Sequence, residues 1–229
     1  MKAIIFDCDG TLIDSEYTHF LSWQDPLQKR GGLMHEDEYH FLAGKPGSWI
    51  AQKLYERVGL DSPEEIYAEK RQSYLQLLKK GLPAIERTVR FVRELAAQKE
   101  VLGIKLAVAS AGYKEEILLH LDHLGITHLF EAIVSGHDDL GHYNDPEGVN
   151  KPKPYIYLHA AQLLGVDPKD CIAFEDTCTG LQAAVSAGMK AVAVPNAYTL
   201  KHDFSQATLR IEPESEIVLS DFLYKVFPQ

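Results

Sequence analysis

The chain has 229 residues, of which 45% are hydrophobic and 24% are charged, a composition typical of a soluble globular protein with a sizeable core. Its 23 Lys and Arg residues against 33 Asp and Glu residues give a formal charge of −10, which argues against general binding to nucleic acid or anionic membranes. A small anionic substrate is still compatible with this charge, because a bound metal and a few local cations can reverse the sign within one pocket.

The N-terminal region and the cysteines bear on localisation. The apolar run 3–6 is far too short for a signal peptide, and no run approaches the roughly 18 apolar residues that a membrane span needs. The three cysteines, Cys8, Cys171 and Cys178, lack metal-finger and redox-motif spacing, and free thiols fit a reducing compartment. We therefore expect a soluble, cytoplasmic protein.

Short apolar runs alternate with helix-like segments along most of the chain. The runs, which are typical of buried strands, are 3–6, 104–109, 132–134, 171–174 and 191–194. Apolar residues recur with helical spacing in 85–95, 115–124, 156–164 and 179–187. This alternation predicts an α/β fold, a Rossmann-like doubly wound parallel sheet that carries its ligand site at the carboxyl ends of the strands.

Residues 15–81 interrupt the alternation with helix-like spacing and no convincing strand. About 65 helical residues are too many for a single crossover connection. We predict an α-helical cap domain at 15–81, inserted into a core domain formed by 1–14 and 82–229. The segment 135–150 is also long and rich in turn formers. Its His137, Asp138, Asp139 and His142 are interpreted as a solvated surface loop rather than a metal site.

Polar side chains follow several of the predicted strands. Asp7 and Asp9 follow the first, and Gly10 lets the chain turn so that both can face one pocket. The pair alone is weak evidence, because Asp-x-Asp is common in surface turns. Ser110 and Ala111 follow the second run, where a hydroxyl and open backbone N–H groups form a candidate phosphate-binding site.

Two further segments add charged groups to the same edge of the predicted sheet. Glu175 and Asp176 follow the fourth run, and Lys151 precedes a helix in the proline-stiffened segment KPKP. Carboxylates are hard oxygen ligands that suit Mg²⁺, which commonly binds through a few carboxylates, waters and a substrate phosphate.

Taken together these segments resemble a known superfamily. The segment 7–16, DCDGTLIDSE, resembles the first motif of the haloacid dehalogenase superfamily of phosphohydrolases. Ser110 resembles its second motif, Lys151 its third, and Glu175-Asp176 its fourth, in the family's order and spacing. The helical insert falls where that family carries a cap after the first motif.

The resemblance implies a mechanism. Asp7 would attack phosphorus and form an aspartyl-phosphate, and Asp9 would protonate the leaving oxygen and later deprotonate a water. Mg²⁺ would be held by Asp7, the Asp9 carbonyl and Asp176, with Glu175 acting directly or through a neighbouring ligand. Phosphoryl oxygens would be bound by Gly10, Thr11, Ser110, Ala111 and Lys151.

The cap carries three candidates for substrate contact, His19, Lys45 and Lys70. The segment 19–23, HFLSW, resembles the start of the cap in beta-phosphoglucomutases, and Lys70 falls near a cap lysine of those mutases. The segment 44–48, GKPGS, lacks the arginine that the mutases place after the equivalent turn, and looks more like sugar-phosphate and phosphoglycolate phosphatases.

The sequence therefore predicts a magnesium-dependent phosphatase acting on a small phosphorylated metabolite. A phosphosugar mutase resembling beta-phosphoglucomutase is the alternative. A catalytically inactive binding protein on the same fold is less favoured, because the nucleophile, the acid/base and the metal carboxylates are all present. The substrate and the oligomeric state are left open.

Overall fold

The computed structural model describes residues 2–58 and 62–226. The chain divides into two compact units. The larger comprises Met1–Asp14 and Ala84–Gln229, and the smaller comprises Ser15–Pro83.

The larger unit contains a six-stranded sheet in which every paired strand runs parallel to its neighbours. The strands are β1 (Lys2–Phe6), β2 (Ile104–Ser110), β3 (Ala132–Ser135), β4 (Cys171–Glu175), β5 (Lys190–Ala193) and β6 (Leu209–Arg210). Their order across the sheet is β3-β2-β1-β4-β5-β6. The predicted α/β fold with a parallel sheet is confirmed, while β6 is a further strand that the sequence pattern did not predict.

The order of the strands places the topological switch point of the sheet beside β1. The chain passes from β1 to β2 on one side, and β4 returns to pair with β1 on the other. Phe6 is paired with both Val108 and Phe174, and the N–H of Asp7 donates to the Phe174 carbonyl over 2.9 Å. Asp7 therefore leaves the sheet at its topological switch point, where α/β folds place their ligands.

The described residues of the smaller unit, 15–58 and 62–83, form helices joined by turns and contain no strand. Its helices are α1 (Glu16–Gln28), α2 (Glu36–Leu42), α3 (Gly47–Val58) and α4 (Pro63–Leu78). Helix α4 begins where the Ser62 hydroxyl accepts from the N–H of Glu65 over 3.1 Å, with Pro63 at the first helical position. The side chains of Trp23, Leu54 and Tyr74 are buried and form part of its core.

The remaining helices cover both faces of the sheet. They are α5 (Glu86–Leu102), α6 (Lys114–His123), α7 (Tyr155–Leu164), α8 (Cys178–Ser186) and α9 (Leu219–Val226). On one face α7 and α8 pack over small sheet residues such as Ala3, Ala107 and Ala173. On the other, Phe174 of β4 lies 5.5 Å from Phe91 of α5 and 5.4 Å from Phe222 of α9, measured between ring centroids. This two-faced cover makes the sheet doubly wound.

Within the described residues, no helix combines the length and the apolar character required to cross a lipid bilayer.

Candidate active site

The buried centre of the site is an ion cluster around Lys151. The ammonium Nζ donates to Asp7 Oδ1 and to Glu175 Oε1, each over 2.6 Å, and to the Ala109 carbonyl over 3.1 Å. The side chains of Lys151 and Asp7 are 9% and 8% exposed, and that of Glu175 is 1% exposed. One cation therefore lies between two carboxylates that have lost nearly all contact with water.

Burial and the charge of the neighbouring groups have opposite effects on the pKa values of Asp7 and Lys151. Burial raises the pKa of Asp7 to about 8, although Lys151 lowers it, and the neighbouring Glu175 raises it further. For Lys151, burial alone would lower the pKa, but the Asp7 and Glu175 carboxylates outweigh it, so the pKa lies above its ordinary value. The cluster holds more negative charge than one ammonium can compensate.

A third carboxylate completes a possible metal site. Asp7, Glu175 and Asp176 are all buried, and a carboxylate oxygen from each lies within 4.8 Å of the other two. The three carboxylates and Lys151 carry a net charge of −2 when ionised. That deficit equals the charge of one divalent cation, and hard oxygen donors suit Mg²⁺. The residues present therefore fit a magnesium-type ion.

Asp9 and Ser110 lie beside this cluster. The Ser110 hydroxyl donates to Asp9 Oδ2 over 3.3 Å and accepts from the N–H of Gly112 over 3.2 Å. Ala111 is exposed, directly after β2. His120, on α6, has its Nε2 3.9 Å from Asp9 Oδ1, and burial lowers the pKa of this imidazole against the opposing effect of Asp9. Sequence reasoning did not identify His120.

In the loop after β1, backbone N–H groups donate to carbonyls of the same loop. Gly10 has φ of +75°, the left-handed region that favours glycine, and its N–H donates to the Ile13 carbonyl over 2.8 Å. The N–H of Thr11 donates to the Cys8 carbonyl over 3.3 Å. A phosphate contact from either N–H would require one of these loop bonds to open, so their predicted role as phosphate donors stays a prediction.

The start of the 135–150 segment supports the segment that carries Ser110. The N–H of Gly136 donates to the Ser110 carbonyl over 2.8 Å, and the Ser135 hydroxyl donates to the Gly112 carbonyl over 2.7 Å. Asp138 Oδ2 accepts from the N–H of Lys114, the first residue of α6, over 2.7 Å. These polar groups hold the backbone around the predicted phosphate-binding site at Ser110 and Ala111.

The other polar residues of that segment have local partners. Asp139 Oδ2 lies 2.5 Å from the Lys114 ammonium, and His137 Nδ1 lies 3.0 Å from Asp138 Oδ1. The His142 ring packs at 4.2 Å from the Tyr143 ring. Among the described residues, no group of three metal-ligating side chains forms in this segment.

Besides His120, two further side chains around the carboxylates were missed by sequence reasoning. The Tyr157 hydroxyl of α7 donates to Glu175 Oε1, and the Lys151 ammonium lies 5.3 Å from the centre of the Tyr157 ring. Asn196 Nδ2 donates to Asp176 Oδ2 over 2.8 Å. Asn196 follows the fifth apolar run, so the search for polar residues at strand ends could have found it. Tyr157 occupies an apolar position of a helix and carries no such signal.

Two of the three cap candidates meet within the smaller unit. His19 Nδ1 and Lys70 Nζ are 2.9 Å apart, and the His19 ring stacks on Tyr74 at 4.2 Å. Because an ammonium can only donate, His19 Nδ1 accepts, and the neutral imidazole carries its proton on Nε2. The Lys70 side chain is buried, with Nζ 4.4 Å from the Tyr74 ring centre. Lys45 is exposed on the turn between α2 and α3.

Comparison with known proteins gives concordant matches. The family model for haloacid dehalogenase-like hydrolase matches residues 1–188. The chain is 33% identical over 196 residues to fructose-1-phosphate phosphatase YqaB of Escherichia coli (strain K12), covering 84% of this chain and 95% of that protein. It is 31% identical over 208 residues to beta-phosphoglucomutase of Bacillus subtilis (strain 168), covering 85% and 83%. The crystal structure of beta-phosphoglucomutase from Clostridium difficile matches with a TM-score of 0.77 and 26% identity, covering 99% and 97%.

Proposed function

The chain belongs to the haloacid dehalogenase-like hydrolases, and on that basis we propose that it is a magnesium-dependent phosphatase that hydrolyses a small phosphate monoester through an aspartyl-phosphate. The observation that carries this proposal is the buried cluster of Asp7, Glu175 and Asp176 around Lys151. Such a cluster suits a nucleophilic carboxylate that must meet a dianionic phosphoryl group and a divalent cation in one pocket.

Asp7 is the proposed nucleophile. Lys151 holds Oδ1 over 2.6 Å, which orients the carboxylate so that its other oxygen can be presented to phosphorus. A bond forms between that oxygen and phosphorus while the bond between phosphorus and the leaving oxygen breaks, and the phosphoryl group passes to Asp7.

Asp9 is the proposed acid and base. It would give a proton to the leaving oxygen in the first step and take a proton from the attacking water in the second. Its Oδ2 accepts from the Ser110 hydroxyl over 3.3 Å. Asp9 is half-buried whereas Asp7 is buried, so the two carboxylates have the different surroundings that separate an acid/base from a nucleophile.

Charge on the transferring phosphoryl group requires donors near Asp7. Lys151 Nζ, the Ser110 hydroxyl and the N–H of Ala111 are the groups that we assign to this task, and Ser110 lies one residue before Ala111 at the end of β2. Gly10 and Thr11 are further candidates, and their N–H groups donate within the loop just as the Lys151 ammonium and the Ser110 hydroxyl donate within the site.

Asp7, Asp176 and the Asp9 carbonyl would hold Mg²⁺, with Glu175 in direct contact or supporting the site through Lys151. When bound, the ion would neutralise the excess negative charge of the cluster and polarise the phosphoryl group.

The proposed substrate is a small phosphorylated metabolite, with a sugar phosphate as the first candidate. One relative bears the name fructose-1-phosphate phosphatase. We propose that residues 15–81 act as a substrate-selecting cap on a catalytic core of 1–14 and 82–229, with His19, Lys45 and Lys70 as candidate contacts. The contact of His19 with Lys70 places a hydrogen-bonding imidazole and a buried cation together.

A phosphosugar mutase is the second candidate, and the same His19–Lys70 pair favours it together with the relatives named beta-phosphoglucomutase. The two functions differ in what accepts the phosphoryl group from Asp7. A mutase would interconvert beta-glucose 1-phosphate and glucose 6-phosphate when primed by a bisphosphate. A phosphatase would release inorganic phosphate.

A phosphate-release screen over sugar phosphates, phosphoglycolate and nucleotides tests the proposal. We expect release that needs Mg²⁺, stops with EDTA, and falls by at least about a thousandfold in Asp7→Asn, the order of loss expected when a nucleophile is removed. Asp14→Asn is the matched control, because Asp14 is an exposed aspartate seven residues further along. Full activity in EDTA, or in Asp7→Asn, would overturn the mechanism.

A further inference from the structure

Asn196 joins three segments of the larger unit. It lies three residues beyond the end of β5 at Ala193. Its amide Nδ2 donates to Asp176 Oδ2 over 2.8 Å and to the Gly10 carbonyl over 3.3 Å. Asp176 follows β4 and Gly10 belongs to the loop after β1, so one side chain links the chain segments that follow β1, β4 and β5.

The opposite side of the amide is fixed by its own loop. Asn196 Oδ1 accepts from the N–H of Tyr198 over 2.9 Å and from the N–H of Thr199 over 3.2 Å. The N–H of Asn196 donates in turn to the Thr199 hydroxyl over 3.1 Å, and Thr199 is fully buried. Because backbone N–H groups can only donate, Oδ1 must face them, and the NH₂ group must face Asp176.

We propose that Asn196 is a positioning residue for the divalent metal and acts through Asp176. A donor on one carboxylate oxygen restrains the rotation of the group, so the second oxygen keeps one direction. This inference rests on the metal site of the proposed function, in which Asp176 is a ligand. It adds a residue to the site that makes no contact with the metal itself.

The chemistry of the donor suits that task. Asp7 and Glu175 both accept from the charged Lys151. Asn196 gives Asp176 a neutral donor, which orients the carboxylate without placing a positive charge that would compete with a cation. The Asn196 donor therefore adds no charge of its own beside the proposed metal ligand.

The packing around this contact leaves little freedom. A Cβ added to Gly10 would lie 2.2 Å from Asp176 Oδ2 and 2.9 Å from Asn196 Nδ2. Both distances are shorter than non-bonded atoms tolerate, so the glycine backbone, the carboxylate and the amide are in direct contact. The position of Asp176 is thereby tied to the loop that carries Asp7 and Asp9.

Two variants separate the donor from the loop that holds it. Asn196→Ser keeps a side-chain oxygen that can accept from the N–H groups of Tyr198 and Thr199, but it is too short to reach Asp176. Thr199→Val removes the hydroxyl that accepts from the Asn196 N–H and leaves Nδ2 in place. Asn196→Ala is a second variant that removes the donor and is used if the serine variant does not fold, with thermal melting as the check on each.

The measurement is direct binding of Mn²⁺ to the full chain, by the electron paramagnetic resonance of free Mn²⁺, with no substrate present. We expect Asn196→Ser to raise the Mn²⁺ dissociation constant roughly tenfold or more, the usual effect of losing a residue that orients a metal ligand. Thr199→Val is expected to bind within about twofold of wild type. In phosphate release, Asn196→Ser should need correspondingly more Mg²⁺, with kcat at saturating Mg²⁺ largely retained.

Each outcome has a distinct meaning. Wild-type binding by Asn196→Ser, or equal weakening in Thr199→Val, overturns the positioning role and leaves the proposed function standing. A wild-type chain that binds no Mn²⁺ overturns the metal site of the proposed function and this inference with it. Weakening confined to the Asn196 variants supports the role whether or not the right substrate has been found.

Discussion

Asp7 is the residue at which function and stability oppose each other. A nucleophile must be buried to exclude water, but burial raises its pKa to about 8 and makes its ionised form costly. Lys151 lowers that cost, and Glu175 works against it. The metal-free chain therefore holds a carboxylate that binds a proton more tightly when folded than when unfolded.

This conflict predicts a pH dependence of stability. Between the ordinary pKa of 3.8 and the folded value of about 8, the folded state keeps a proton that the unfolded state releases, so stability falls as pH rises. The slope contributed by Asp7 is at most about 1.4 kcal/mol per pH unit. We expect urea unfolding of the metal-free chain to be more pH-dependent in wild type than in Asp7→Asn. Asp14→Asn should keep the wild-type slope, and equal slopes in wild type and Asp7→Asn would contradict the account.

Tyr157 offers a second test at the scale of one residue. Its buried hydroxyl donates to Glu175, while the hydroxyl of Tyr155, on the same helix, donates to Asp145 over 2.9 Å, away from the carboxylate cluster. We expect Tyr157→Phe to cost about 1 kcal/mol of unfolding free energy and roughly tenfold in phosphate release. Tyr155→Phe is the control and should retain activity. The assignment fails if both variants turn over substrate like wild type.

At the scale of elements, the loop after β3 and the N-terminus of α6 form one support for the Ser110 segment. Asp138 accepts from the N–H of Lys114, which would otherwise lack a partner within the helix, and the negative charge lies at the positive end of the helix dipole. The Ser135 hydroxyl donates to the Gly112 carbonyl in the same region. The predicted phosphate-binding site thus depends on a segment far from it in sequence.

Removing the Asp138 carboxylate should make the predicted phosphate-binding site at Ser110 less rigid. We expect Asp138→Ala to lower the unfolding free energy by about 1 kcal/mol, as for a lost helix cap, and to raise KM for substrate more than it lowers kcat. Glu147→Ala is the control, because Glu147 is an exposed carboxylate of the same segment with its side chain 79% exposed. Unchanged KM in Asp138→Ala, measured by phosphate release, would show that Ser110 does not rely on this loop.

These elements show what the sequence could and could not predict. Apolar runs of three to six residues predicted the buried strands to within about one residue, because a strand covered on both faces is mostly apolar. The two-residue β6 is too short for such a pattern, and its bonds to β5 form only in the assembled sheet. The strand order was equally out of reach, since it depends on which crossovers pack rather than on local periodicity.

The residues of the candidate site likewise include some that the sequence could predict and some that it could not. Polar residues at strand ends predicted Asp7, Ser110, Glu175 and Asp176 as neighbours, because parallel strands end at one edge, and the structure brings Lys151 to the same cluster. Tyr157 could not be predicted, because a tyrosine at an apolar helical position is indistinguishable from a core residue until the helix is docked.

At the scale of the whole molecule, the fold separates two tasks between its two units. The larger carries the strand ends with the carboxylate cluster, and the smaller carries the His19–Lys70 pair. We propose that the first performs phosphoryl transfer and the second selects the acceptor and the substrate. The central claim, common to a phosphatase and a mutase, is that the phosphoryl group passes through Asp7.

Trapping that intermediate is the most direct test. Acetyl phosphate needs no protonation of its leaving group, so Asp9→Asn should still transfer phosphate to Asp7 in the presence of Mg²⁺ but should fail to activate the water that releases it. Acid quenching, borohydride reduction and peptide mass spectrometry would then locate the acyl phosphate. We expect reduction of the Asp7 carboxyl to the alcohol, giving homoserine at position 7. Phosphate release with Asp7 unmodified, or modification at another residue, would contradict the account.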